Sequence, residues 1–232
     1  MLLKHLTFIA FGLSAILLLV ATLLPVHAVS VLVQQSNNGC LGCSSTLSVS
    51  FNGNVVNGDV IVVGVVVGGA SFPVSSLTDS LGSSFARAVT SNSTLPPIVS
   101  IYYANVSKSG TDVVTTTFVA AAPAETVYIY ELSGVATTGI ETATGSGTGS
   151  SISVSPTMHF QTGAFLLGII GTNIFRGNAT AGADFTLSTN SFGTGAAYAE
   201  YSISGVASPT SFQASMNSSV SWAEDAIALM PT

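Results

Sequence analysis

Charged side chains are scarce in this sequence. Asp, Glu, Lys and Arg make up 6% of its 232 residues, whereas about 25% is typical of soluble proteins. Four basic residues stand against ten acidic ones, so there is no basic patch to neutralise phosphates, and we expect no binding to nucleic acid. Ser, Thr, Gly and Asn must cover the surface instead. Because a chain with few carboxylates has few native ion pairs to lose when the pH falls, this composition suits an extracellular protein in an acidic medium.

Residues that carry catalysis or bind metals are scarce as well. Beyond the first 28 residues the one histidine is His159, so a Ser-His-Asp arrangement has one possible base and no local motif. The only cysteines are Cys40 and Cys43, and a metal bound by them would need further ligands, which no second C-x-x-C or histidine cluster supplies. We therefore expect no catalytic residues, no metal site and no cofactor.

A carboxylate pair is the one enzymatic alternative. Glu131 in "YIYEL" and Glu200 in "AYAEY" lie among tyrosines, and a pair of strand carboxylates could hydrolyse glycosidic bonds. However, both glutamates alternate with apolar residues, and exposure to water is the default for such strand positions. We therefore expect both glutamates to face solvent.

A long hydrophobic run is found only at the N-terminus. Lys4 precedes an apolar run over residues 6–24, which is followed by Pro25 and the small residue Ala28. This pattern predicts a Sec-type signal peptide over residues 1–28 and export from the cell. The alternative is an uncleaved membrane anchor, since the run is almost long enough to span a bilayer. A type IV pilin leader ranks last, because no Gly or Ala follows Lys4 to accept that cleavage.

The rest of the chain, residues 45–232, has the signature of an all-β body. Short runs rich in Val, Ile, Thr, Tyr and Phe recur between Gly, Asn and Ser clusters. We predict a two-sheet sandwich of jelly-roll or immunoglobulin-like type. The runs 59–67 and 164–172 are apolar on both faces, as expected of central strands. We interpret residues 142–151 as a flexible loop within one domain, the alternative being a linker between two small domains. The predicted strands cover residues 45–51, 59–67, 72–78, 84–90, 98–104, 112–119, 126–133, 151–157, 164–172, 184–190, 196–204, 210–216 and 219–230.

A separate strand-forming tail, residues 29–44, precedes the body. Val29, Val31 and Val33 alternate with Ser30 and Leu32, and the polar, turn-prone residues 34–39 follow. Such a strand could fold back as an edge strand of its own sheet. Alternatively, it could complete the sheet of the next subunit, with main-chain hydrogen bonds giving affinity and alternate side chains giving specificity. Because donor and acceptor lie on the same chain, that contact would propagate head-to-tail into an open filament. We favour the second interpretation.

Two further features fit an exported protein. In an oxidising compartment Cys40 and Cys43 are expected to form a disulfide, as a local clasp between tail and body or, alternatively, between neighbouring subunits. Four N-x-S/T sequons predict N-linked glycans, which would supply solubility that charges do not. The sequon asparagines are Asn92, Asn105, Asn178 and Asn217.

In this combination of signal, tail "VSVLVQQS", all-β body, sequons and few charges, the sequence resembles the archaeal thread filament subunits of Sulfolobus-like thermoacidophiles. The resemblance implies an extracellular, heavily glycosylated filament of identical subunits linked by donor-strand complementation, with surfaces or other cells as possible adhesion targets. It assigns Val29, Val31, Leu32 and Val33 to the donor strand and the four sequon asparagines to glycan attachment. The competing binding-class hypothesis is a secreted lectin-like or adhesin sandwich that binds carbohydrate.

Overall fold

The described part of the chain folds into β-strands and connecting turns. The computed structural model describes residues 29–232 except 43, 70–71, 92–96, 174–177, 190–196, 204–207 and 209. In the part of the chain it describes, no helix has the length and apolar character needed to cross a membrane. The strands are β1 (Val31–Leu41), β2 (Thr46–Val55), β3 (Val60–Val67), β4 (Val74–Asp79), β5 (Ala86–Thr90), β6 (Ile98–Asn105), β7 (Gly110–Phe118), β8 (Ala124–Ser133), β9 (Glu141–Ser153), β10 (Phe165–Thr172), β11 (Ala179–Thr180), β12 (Thr186–Thr189), β13 (Ala197–Ile203) and β14 (Gln213–Leu229).

The predicted all-β class and the two predicted central strands are confirmed. Every residue of β3 and of β10 is buried, because each strand carries apolar or small residues on both faces and lies between two layers of side chains. The two C-terminal predictions, 210–216 and 219–230, merge into one long strand, β14. The mid-chain loop prediction is wrong: residues 142–151 belong to β9, whose Gly- and Ser-rich sequence pairs along β14.

Strands β1 to β8 form the first sandwich. Its larger sheet has the order β1-β8-β3-β6-β5 and its smaller sheet the order β2-β7-β4. All of the pairings within these two sheets are antiparallel. The first described strand, β1, is therefore an edge strand beside β8, the last strand of this half.

Strands β9 to β14 repeat the same order in a second sandwich. The first part of β9 pairs with the last part of β14, as β1 pairs with β8, and the end of β9 pairs with the start of β14, as β2 pairs with β7. The order then continues as β14-β10-β13-β12, with β11 on the start of β14. The prediction of two sheets is thus too simple, since β9 and β14 are long strands that serve both layers of the second sandwich.

Apolar layers hold the sheets together. Alternate residues of β3 point to opposite sides: Val62 and Val66 belong to a core shared with Phe165 and Ile169 of β10, whereas Val63 belongs to the core inside the first sandwich. The two sandwiches therefore pack through their larger sheets. Inside the second sandwich the apolar residues form two separate clusters rather than one.

Candidate assembly site

The predicted donor strand lies in the chain's own larger sheet. Strand β1 pairs antiparallel with β8 from Val31 opposite Ser133 to Leu41 opposite Ala124. It is longer than the sequence suggested, because residues 34–39, predicted as a polar spacer, continue the ladder. Polar side chains suit this position, since β1 is an edge strand with one side open to water.

The valines in and just before the start of β1 do not fill the core of this chain. Val29, Val31 and Val33 are 51%, 50% and 46% exposed, whereas Leu32 points inward and packs against the core between the sandwiches. Three half-exposed valines in a row form an apolar strip along the edge strand. The sequence predicted this row correctly as a set of alternating positions, but its burial in an acceptor stays a prediction.

A β-bulge at Val33 reverses the face of the sheet toward which the following side chains of β1 point. The register shifts between Leu32 and Gln34. The side chains of these two residues therefore point to opposite faces of the sheet, whereas without a bulge they would share one face. Gln34 consequently turns toward β2, where its Oε1 accepts the Gly53 N–H at 2.9 Å. Its amide nitrogen donates to Oε2 of Glu131 at 2.6 Å.

Glu131 is the buried centre of this polar contact. Its side chain is 0% exposed, and its Oε1 accepts the backbone N–H of Val56 at 2.7 Å. Asp59 lies beside it and shares a side-chain hydrogen bond with it. Partial burial, followed by the negative charge of Glu131, raises the pKa of Asp59 to about 6. The group Gln34, Glu131, Asp59 and Val56, here called the β1 lock, therefore ties β1 to β8 and to the β2–β3 turn.

Both ends of β1 have further attachments. Ser30 is buried, and its backbone N–H and hydroxyl both donate to the carbonyl of Gly163, just before β10. At the other end Cys40 is disulfide-bonded, while Cys43, the only other cysteine, lies outside the described residues. Gly42 follows with a positive φ of 64° and no atom near its open side. The chain thus turns sharply where β1 meets the body.

Three of the four sequon asparagines are described, and all three are exposed. Asn105 ends β6. Asn178 and Asn217 lie side by side, because the Asn217 N–H donates to the Asn178 carbonyl at 3.1 Å. Asn92 lies outside the described residues. Glycans on the three described asparagines would project into solvent, and whether they are attached stays a prediction.

The expectation that Glu131 and Glu200 face water is wrong, since both are 0% exposed. The structure does not bring them together either. Glu131 points to the β2 side of the first sandwich, whereas Glu200 lies opposite Gly168 inside the second, with the shared core between them. His159 is exposed. Among the described residues, no three His, Cys, Asp or Glu side chains are grouped closely enough to hold a metal.

Sequence reasoning missed the extent of carboxyl burial. Six of the ten acidic residues are buried, namely Asp112, Glu125, Glu131, Glu200, Glu224 and Asp225. A partial signal was present in "WAEDAIAL", where two acids interrupt an otherwise apolar run.

No family model, curated protein or solved structure matches the chain. Comparison with known proteins therefore assigns no role to these residues.

Proposed function

We propose that this protein is the structural subunit of an extracellular, glycosylated cell-surface filament that polymerises head-to-tail by donor-strand complementation. In the filament, β1 of one subunit occupies the place beside β8 in the next. The observation that carries the proposal is the contrast between the two strands. β1 is the first described strand and an edge strand, with exposed valines at its start, whereas residues 124–132 of its partner β8 are all buried.

The position of β1 makes exchange between subunits possible. β1 pairs with β8 on one side and packs on β2, and β8 keeps its second neighbour, β3, when β1 leaves. Gly42 and Ser44, on either side of Cys43, belong to the short connection to β2 about which β1 would swing. Exchange of an identical element needs no new complementarity, because the incoming strand makes the contacts that the departing one made.

Once β1 has left, the unpaired edge of β8 strongly favours binding of another strand in its place. Without β1, the backbone N–H and C=O groups along β8 lose their partners, and the Glu131 carboxyl loses the Gln34 amide. Buried polar groups without partners are costly, so a free acceptor edge is unstable. A second copy supplies the matching strand, and because each copy both gives and accepts, the chain of contacts stays open and grows as a filament.

The finer fold assignment supports this route. We assign the strand order of both sandwiches to the jelly-roll type, in which the first strand lies beside the last. In this order the N-terminal strand is an edge strand, accessible to exchange without unthreading the rest. The predicted signal peptide and the exposed sequon asparagines Asn105, Asn178 and Asn217 are consistent with an exported, glycan-covered subunit.

A cysteine pair distinguishes exchange within the chain from exchange between chains. Val31 lies directly opposite Ser133, and facing residues of an antiparallel pair have a Cα separation that permits a disulfide. Val31→Cys with Ser133→Cys, oxidised in the assembled protein, should give a covalent ladder of multimers on non-reducing gels. The matched control is Ser48→Cys with Thr115→Cys, across β2 and β7, which should crosslink only within each subunit.

The opposite result would refute the proposal. If the Val31/Ser133 pair crosslinks only within monomers at high protein concentration, and electron microscopy shows no filaments, β1 serves its own sheet alone. The lectin-like alternative would then be favoured. Its candidate carbohydrate-binding surface is an open depression of the second sandwich lined by Asp184, Thr186 and Tyr201. Deletion of residues 29–36 separates the two hypotheses, because it should abolish filaments but leave sugar binding at that depression intact.

A further inference from the structure

Two glutamates meet in the interior of the second sandwich. Glu200 of β13 lies opposite Gly168 of β10, and Glu224 of β14 lies opposite Ile170 on the other side of β10. A Cβ atom added at Gly168 would lie 2.7 Å from Oε1 of Glu224 and 3.2 Å from Cγ of Glu200. The two side chains therefore fill the space above the glycine, and both are 0% exposed.

These carboxyls lack the partners that a buried charge needs. Within the described part of the chain, neither oxygen of Glu224 has a hydrogen-bond partner, and the same holds for Oε1 of Glu200. The other oxygen of Glu200 accepts the Gly182 N–H at 2.8 Å. An ionised carboxylate in such surroundings is strongly unfavourable, whereas a protonated carboxyl is tolerated.

Among the described residues, the other ionisable groups near the pair supply no positive charge. Asp225, next to Glu224 on β14, points to the opposite face and accepts the Thr144 hydroxyl at 2.7 Å. Tyr198 lies on the same face of β13 as Glu200. Arg87 and Lys108 belong to the first sandwich, His159 of the second sandwich is exposed, and Arg176 lies outside the described residues.

The shifts of the pKa values agree with this geometry. Burial, then the neighbouring charges of Glu200 and Asp225, raises the pKa of Glu224 well above its ordinary value. Burial also raises the pKa of Glu200, partly offset by the Gly182 N–H. Burial raises the pKa of Asp225 to about 7, although the Thr144 hydroxyl opposes the shift.

The first sandwich shows what an ordinary core has at these positions. By strand register, Gly168 and its partner Glu200 correspond to Val63 and its partner Tyr102, and Glu224 corresponds to Val127. The residues of the first sandwich belong to one continuous apolar cluster. In the second sandwich the two acids stand between two clusters, one around Leu166 and one around Ile170.

We propose that the Glu200–Glu224 pair makes the second sandwich an acid-dependent fold, closed while both carboxyls carry protons and loosened when a rise in pH ionises them. The direction follows from linkage. The folded state holds protons that the unfolded chain releases, so the stabilisation is complete below the ordinary glutamate pKa and is lost as the pH rises through the raised values. This pH dependence of the second sandwich does not require the proposed filament, since β1 and β8 belong to the first sandwich.

The single tryptophan gives a direct readout. Trp222 lies two residues before Glu224, is 9% exposed and packs within the second sandwich. Urea unfolding of the protein, followed by Trp222 fluorescence, should show an unfolding constant that rises with pH above the ordinary glutamate pKa. Each carboxyl that keeps its proton in the folded state should contribute about a factor of ten per pH unit, until its raised pKa is reached. In Glu224→Gln, which keeps the shape without the proton, the rise should be smaller by about a factor of ten per pH unit, because the share of Glu224 is lost while Glu200 and Asp225 keep theirs.

Two further variants keep the test decisive. Glu141→Gln removes an exposed glutamate of β9 in the same sandwich and should leave the wild-type pH profile unchanged. Glu200→Gln should flatten the profile as Glu224→Gln does, and it serves if the latter fails to fold. Equal pH profiles in wild type and in the folded Gln variants would overturn the proposal. Recovery of the wild-type Trp222 signal at neutral pH by Ca²⁺ or Mg²⁺ would overturn it too, because the pair would then be a cation site.

Discussion

Replacing Gln34 by alanine removes the polar contact at the centre of the β1 lock. The substitution deletes the 2.6 Å hydrogen bond to the buried carboxyl of Glu131 and the 2.9 Å bond from the Gly53 N–H. Gly53 is exposed, so water replaces its partner at little cost. Glu131 is 0% exposed, and leaving a buried polar atom without its partner costs about 1–3 kcal/mol.

Loss of the aliphatic part of the Gln34 side chain adds a smaller destabilisation. Gln34 is half-buried, and the loss of its partly buried methylene contributes a few tenths of the roughly 0.8 kcal/mol of a fully buried group. The docking of β1 should therefore weaken by about 1.5–3 kcal/mol. Since about 1.4 kcal/mol corresponds to a factor of ten, β1 should open roughly 10- to 150-fold more often.

Native-state hydrogen exchange of the peptide covering residues 31–41 measures this opening. Gln35→Ala is the matched control, because Gln35 is the same residue type on the same strand with its side chain exposed. It should leave exchange within about a factor of two of wild type, as surface substitutions usually do. Equal exchange in the two variants would refute the role of Gln34, and so would an effect spread uniformly over the second sandwich.

Three further outcomes are expected. The free energy of unfolding of the first sandwich should fall as the pH rises from about 4 to about 6, because partial burial and the charge of Glu131 raise the pKa of Asp59 to about 6 in the folded state; in Asp59→Asn this share of the pH dependence should be absent from urea titrations. Gly64→Val should lower the free energy of unfolding by about 1–3 kcal/mol in urea titrations, since even a Cβ there lies within 2.6 Å of two Ile169 atoms across the shared core. Asn178→Gln should reduce subunit mass by one glycan, with the fold unchanged by circular dichroism, because Asn178 is exposed.

Local patterns predicted the strands well. The runs 59–67 and 164–172 became β3 and β10, because residues apolar on both faces are stable only between two layers. The strand of valines at residues 29–33 was also recognised. Strand boundaries were missed where composition misled: β9 is rich in Gly and Ser, yet it pairs with β14 along most of its length, with one register shift between Ser215 and Val220. Residues 34–39 are polar, yet they pair with β8 at an edge where polar side chains reach water.

Long-range features could not be read from the sequence. The repeated strand order emerges only from pairings between distant segments, such as residues 141–149 with 220–228. The burial of Glu131 and Glu200 also depends on what covers them, and an alternating pattern does not show which face is covered. The β1 lock needs a bulge at Val33 to turn Gln34 toward β2, and single-residue register shifts have no distinctive signal in this stretch.

The buried acidic residues give a second reason why this chain of low charge should be stable in acid. Composition indicated that little stability would be lost in acid, because few ion pairs exist to be titrated. The structure adds a gain: burial raises the pKa of Glu125, Glu200, Glu224 and Asp225, so the folded state holds protons that the unfolded chain would release as the pH rises. Stability should therefore increase as the pH falls from neutral toward the ordinary carboxyl range. A protein built in this way would hold its second sandwich closed most firmly in an acidic medium, and that sandwich should unfold more readily at neutral pH.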